Sequence, residues 1–175
     1  MSFLENYTKV ILYAYPILKT VGEDYAEHIR NKALLSYQSS LSAENLAEYL
    51  AEEILRKQKL EWLKEKIEEV LSRLDDVERT LVAIRYFGKK RKIKKIHFTS
   101  EKNPLVDESK GERAYFRRQQ RLSEKVGAML QSAGITEEIY LREFASLDIF
   151  EKIHKFVHEG KDRKVSQDER RWMRF

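Results

Sequence analysis

Arg113, Arg117 and Arg121 stand four residues apart in a stretch, Arg113 to Leu130, that contains no proline. At about 100° per residue, a helix over that stretch gathers the three arginines on one side and leaves Tyr115, Leu122, Val126 and Met129 on the other. Arg118 and Lys125 flank the basic stripe, and Gln120 lies on its other edge. The chemistry of such a face is recognition. A guanidinium pairs in bidentate fashion with phosphate or guanine, and a carboxamide pairs with adenine. A second basic group precedes it: Lys89, Lys90, Arg91, Lys92, Lys94 and Lys95, six cations within seven positions. An ordinary solvated helix face would explain the arginines alone, and the adjacent lysine run shifts the balance towards nucleic acid.

Bond-making chemistry finds less support. His154 and His158 are four apart on an expected helix and would share a face, but no glutamate follows the first histidine as in a metalloprotease, and spacing offers no third ligand. The carboxylate pairs Glu52-Glu53, Glu68-Glu69 and Asp75-Asp76 are sequence neighbours, so on a helix they diverge by about 100° and do not converge on one substrate. Gly88-Lys89 lacks the upstream glycine of a phosphate loop, and His28 and His97 stand alone. We expect no enzyme, no metal and no cofactor.

The 175 residues are 42% hydrophobic and 36% charged, enough apolar material for a packed core and too much charge for a membrane protein. Only 6 glycines and 2 prolines are present, too few for the turns of an all-β fold, so the expected class is all-α. With no cysteine, disulfides and thiolate-bound metals are excluded, and the cytoplasm is the expected compartment. The longest apolar run, Val10 to Leu18, contains Pro16 and falls far short of the about 20 residues that span a bilayer. It reads as a mature helix, because no small-residue cleavage site follows it. The net charge of +5 is unevenly placed: residues 85–121 carry 13 basic and 4 acidic side chains, whereas the preceding segments are slightly acidic and residues 122–175 balance. A local positive field of this kind is the footprint of a polyanion partner.

About seven helices are expected to position these groups. Phe3 to Val21 reads as an amphipathic helix ended by Gly22, and Glu23 to Tyr37 as a second, followed by a polar turn at residues 38–40. Ser42 caps the longest helix, to about Arg73, whose second half carries Leu60, Leu63, Ile67, Val70 and Leu74 as a coiled-coil-like seam. That seam would face either a second copy or, favoured by its shortness, the chain's own helices. Asp75 to Glu78 forms a capping box for a helix with Val77, Leu81 and Ile84 inward, stopped at Gly88. Ile93 and Ile96 would anchor a short helix within the lysine run, and residues 97–111, with Pro104, read as a loop. Ser109 to Glu112 is a second capping box, opening the arginine helix that runs to about Ser132, with Gly134 beyond it. Thr136 starts a helix to about Leu147. Asp148 to Glu159 forms another, and Ser166 caps a short C-terminal one ending in Trp172 and Phe175.

Two blocks resemble a family. Asp75 to Gly88, Asp-Asp-Val-Glu-Arg-Thr-Leu-Val-Ala-Ile-Arg-Tyr-Phe-Gly, resembles the opening helix of the helix-turn-helix in sigma-factor region four. Glu112 to Val126, with its Tyr115-Phe116-Arg117 core, is similar to the recognition helix of the related ArpU-type and RinA-type phage transcription regulators. The resemblance covers residues 75–126. The family's small middle helix is not visible between Gly88 and Gly111, and the separation is longer than the family's, as a loop insertion around Pro104 would give. The resemblance implies that Arg113, Arg117, Arg118 and Arg121 contact DNA while Tyr115 and Leu122 hold the helix. It also implies sequence-specific binding of duplex DNA in transcriptional regulation, with RNA polymerase as an expected contact. The flanking segments, residues 1–74 and 135–175, would supply packing, a homodimer interface or a partner surface around the unit at 75–134. Two other readings remain open from the residues: a helical subunit that coats or scaffolds RNA or single-stranded nucleic acid, and an adaptor whose basic segment meets an acidic protein.

Overall fold

The computed structural model describes residues 3–35, 42–87 and 111–159. Among the described residues the chain forms six α-helices and no strand: α1 (Phe3–Leu35), α2 (Ala43–Ser72), α3 (Asp76–Val82), α4 (Gly111–Ser132), α5 (Glu137–Glu143) and α6 (Asp148–His158). A widened π-helical turn over Ala83–Phe87 continues α3. The expected lysine-run helix, the loop around Pro104, the Ser109 cap and the helix ending at Phe175 lie outside the described residues.

Helix α1 is the central element, packed against α2 and α6 and touching α4, α5 and the π-helical turn. Its side chains from Tyr7 to Leu18 are buried almost all round, with Val10, Ile11, Leu12 and Ala14 at 0% exposure. Here the expected break at Gly22 is corrected: the helix runs unbroken through both Pro16 and Gly22 to Leu35, which reduces the count from about seven. A glycine inside a helix costs only about 1 kcal/mol relative to alanine. Antiparallel packing of α2 along α1 outweighs that cost, as two cross-links show. The Tyr15 hydroxyl donates to Glu68 Oε1 (3.3 Å), and His28 Nε2 lies 2.6 Å from the Tyr49 hydroxyl at the far end.

The seam on α2 is internal. Leu60, Leu63, Ile67, Val70 and Leu74 are each at most 3% exposed, packed with α1 rather than presented to a second copy. Trp62, beside the seam, lies parallel to Phe144 with ring centroids 6.5 Å apart. Segments 1–74, 75–134 and 135–175 all contribute to this one core, which continues through Leu81, Val126, Leu130, Ile135, Tyr140, Phe144 and Phe150.

Helix ends follow local chemistry. Ser42 Oγ accepts from Asn45 N, and Thr136 Oγ1 accepts from Ile139 N, each 3.3 Å. Asp75 Oδ1 accepts from Glu78 N (2.8 Å) while Asp75 N donates to Glu78 Oε2 (3.2 Å), the reciprocal box that starts α3. Gly134, at φ 97°, ends α4: its N–H donates to Gln131 O, and Ile135 N–H reaches back to Leu130 O. Those two bonds make a Schellman turn, completed by apolar contact between the fully buried Leu130 and Ile135. Helix α5 stops at Glu143, short of the expected Leu147. Phe144 leaves helical geometry to place its ring, 1% exposed, between Trp62 and Phe150.

Candidate nucleic-acid interface

Helix α4 presents its arginines because its other side is fixed at several points. Leu122, Val126 and Leu130 are buried, and Tyr115 and Met129 pack partly buried against the same core. Gln119 adds a polar anchor. Its Nε2 donates to Leu81 O (3.2 Å) and to the Tyr115 hydroxyl (3.0 Å), tying α4 to the end of α3. The Tyr86 hydroxyl donates to Ser123 Oγ (3.5 Å), and Lys125 Nζ meets Glu78 Oε1 at 2.6 Å. Positions 78, 81 and 86 thus meet 125, 119 and 123.

On the outer side of α4, Arg113, Arg117 and Arg121 are exposed, and none has a hydrogen-bond or ion-pair partner among the described residues. Their steps of four residues place them about 6 Å apart along the axis, so the row spans about 12 Å. Arg118 is half-buried and held by neighbours, on the border between the stripe and the core. Gln120 is exposed, but its Nε2 donates to Glu124 Oε1 (3.2 Å), so reading a base would require it to leave that glutamate. Lys125 serves the α3 contact rather than the stripe. Lys89, Lys90, Arg91, Lys92, Lys94 and Lys95 lie outside the described residues.

Sequence reasoning did not single out Gln119 or Tyr86, and it used Phe116 only as part of the Tyr115-Phe116-Arg117 core. Gln119 falls between Val126 and Leu130 on the helical wheel, which marks it as inward-facing and so in need of a partner. Phe116 is 38% exposed beside Arg117, its ring edge-on to Tyr115. It also lines a cavity of about 510 Å³ between the N-terminal part of α1, the π-helical turn and α4, with Tyr7, Tyr86, Gln119 and Gly127 among the other walls. His154 and His158 stack in parallel with centroids 6.4 Å apart. Among the described residues, no three of His, Cys, Asp and Glu converge as metal ligands.

The titration shifts belong to the core and its edge. Burial pushes the Tyr140 hydroxyl up to about 12 and raises that of Tyr7. Hydrogen bonds from Lys59 and Arg142 hold the Glu143 carboxyl below its ordinary value. No helix among the described residues is long and apolar enough to cross a membrane. Compared with family models, curated proteins and solved structures, the chain matches none.

Proposed function

We propose that this protein binds double-stranded DNA through the outer face of α4, as a sequence-specific transcriptional regulator of the sigma-region-four or phage-regulator kind. The observation that carries the reading is the row of Arg113, Arg117 and Arg121, exposed and without counter-ions among the described residues on a helix whose opposite face is anchored. An α-helix, about 10–12 Å across with its side chains, fits a major groove about 12 Å wide, and the guanidinium row would face its floor and walls. Support also comes from the side-chain contacts that fix α4 on α3 and from the cationic run at residues 89–95, which would add phosphate contacts. RNA polymerase would be the natural further partner of such a regulator.

Phe116 favours a second reading. An exposed aromatic ring beside an arginine is a stacking platform for an unpaired base, as in proteins that coat single strands.

Fluorescence anisotropy separates the two readings, using random duplex, single-stranded DNA and RNA of equal length across a salt series. Duplex binding through about six phosphates gives a log-log salt slope of about −5. Arg117→Ala/Arg121→Ala reduces that slope by about 2, one for each lost contact. Single strands binding as tightly as duplex, together with a loss on Phe116→Ala, would establish the coating reading instead. Unchanged binding by the double arginine variant would remove α4 from the interface.

A further inference from the structure

The first half of α2 presents an outward face that none of the other described residues covers. Glu44, Glu48 and Glu52 follow one another there at four-residue intervals, all exposed, and none has an ion-pair partner among the described residues. Like charges at this spacing repel along the helix. Most charges further along α2 are satisfied: Arg56 pairs with Glu53, Lys57 with Glu61, Lys59 with Glu143, Lys64 with Glu68 and Lys66 with Glu69. Glu65 apart, the carboxylates without an ion pair on α2 among the described residues are those of the turns before Leu55. Their neighbours are the exposed Ala47 and Ala51, whose small side chains permit close approach, and then Ile54 and Leu55, 42% and 54% exposed. The face thus combines an apolar strip with a row of unpaired carboxylates.

Helix α4 carries the complementary surface. Arg113, Arg117 and Arg121 repeat at the same four-residue interval, likewise exposed and without an ion-pair partner among the described residues, with the exposed Phe116 alongside. Both rows advance about 6 Å per step and span about 12 Å, so three carboxylates meet three guanidinium groups in register. Within one chain the rows do not meet, since none of the six side chains bonds to another. We propose that the glutamate face of α2 in one copy docks on the arginine face of α4 in a second copy. The pairing is reciprocal, so that the contact is made twice about a two-fold axis. Reciprocity follows from size: one helix laid on another falls short of the about 1,000 Å² expected of a specific interface, and two-fold closure doubles the contact without leaving a face open to polymerise. The contact is rich in exposed charge, so it is weak and sensitive to salt. If the arginine row also serves DNA, self-association and DNA exclude each other. That consequence rests on the function proposed above, whereas the self-contact does not.

Sedimentation velocity on the full chain without nucleic acid tests the contact. The wild type should sediment as a monomer–dimer equilibrium at low salt, weakening about ten-fold or more between about 0.05 M and about 0.5 M ionic strength. Glu48→Arg/Glu52→Arg makes both faces cationic, Arg117→Glu/Arg121→Glu makes both anionic, and each alone should remain monomeric. Mixed in equal amounts they should associate again, because both contacts in the mixed pair are then matched. Circular dichroism melts on each variant check that the substitutions left the fold intact. A wild type that stays monomeric at low salt would overturn the proposal. So would association by either variant alone, or folded variants that do not associate when mixed; the last outcome would point to a different cationic partner for α2.

Discussion

Two glycines seven residues apart, Gly127 inside α4 and Gly134 at its end, should respond to alanine with opposite signs. Gly134 sits at φ 97°, and a Cβ built there would meet nothing within 4 Å, so the whole cost of Gly134→Ala is conformational. A side-chain-bearing residue in that region is strained by about 1–2 kcal/mol, while restricting the unfolded chain returns about 0.4–1 kcal/mol. The net expectation is a loss of about 0.5–1.5 kcal/mol. At Gly127 the backbone is helical, and a Cβ would lie 3.4 Å from Thr8 Oγ1 and 3.7 Å from Thr8 Cγ2, ordinary contact distances. Gly127→Ala therefore keeps the α1–α4 packing and gains about 0.5–1 kcal/mol of helix stability. Urea titrations followed by far-ultraviolet circular dichroism should show the two midpoints moving apart at unchanged m-value, and thermal midpoints should shift by about 2–4 °C per kcal/mol. The double variant should be close to the sum of the two. Gly134→Asn should be milder than Gly134→Ala, because asparagine tolerates the left-handed region. A neutral or stabilising Gly134→Ala would refute the Schellman turn that orients α5 against the core. A Gly127→Ala loss beyond about 1 kcal/mol would show that α1 approaches α4 more closely than these distances allow.

Two further outcomes follow from the core. Phe150 is fully buried and packs edge-on to Tyr140 and at a tilt to Phe144, so Phe150→Ala should cost about 3–5 kcal/mol, read from the urea midpoint; a cost below about 1 kcal/mol would mean that α6 does not close the core. The Tyr140 hydroxyl is raised from 10.0 to about 12 by burial and has no hydrogen-bond partner among the described residues. Because the folded-state value lies above the unfolded one, its contribution is fully present below pH 10 and is lost as pH rises from 10 towards 12, by up to about 3 kcal/mol. Tyr140→Phe should match or exceed wild-type stability at neutral pH and lose less of it between about pH 10 and 11.5. Equal losses in the two proteins would place the alkaline transition elsewhere.

Where a choice depended on neighbours in the chain, the sequence decided it. The caps at Ser42, Asp75 and Thr136 and the stop at Gly134 stand where their side chains or backbone freedom predict, because capping bonds close within three to five residues. The arginine row on α4 was legible for the same reason: a helical period fixes which residues share a face. Tertiary structure decided the rest. Gly22 was locally a fair helix stop, yet α2 lying alongside makes continuation cheaper than a break. The seam from Leu60 to Leu74 is a repeating apolar pattern that specifies burial without naming the partner, and only packing on α1 makes it internal. Lys125 and Arg121 are both basic side chains on one helix; Glu78, 47 positions away, removes the first from the stripe and leaves the second exposed. Periodicity orients each side chain about its own helix axis, but which helix it then meets is set by long-range packing, and sequence spacing does not encode that.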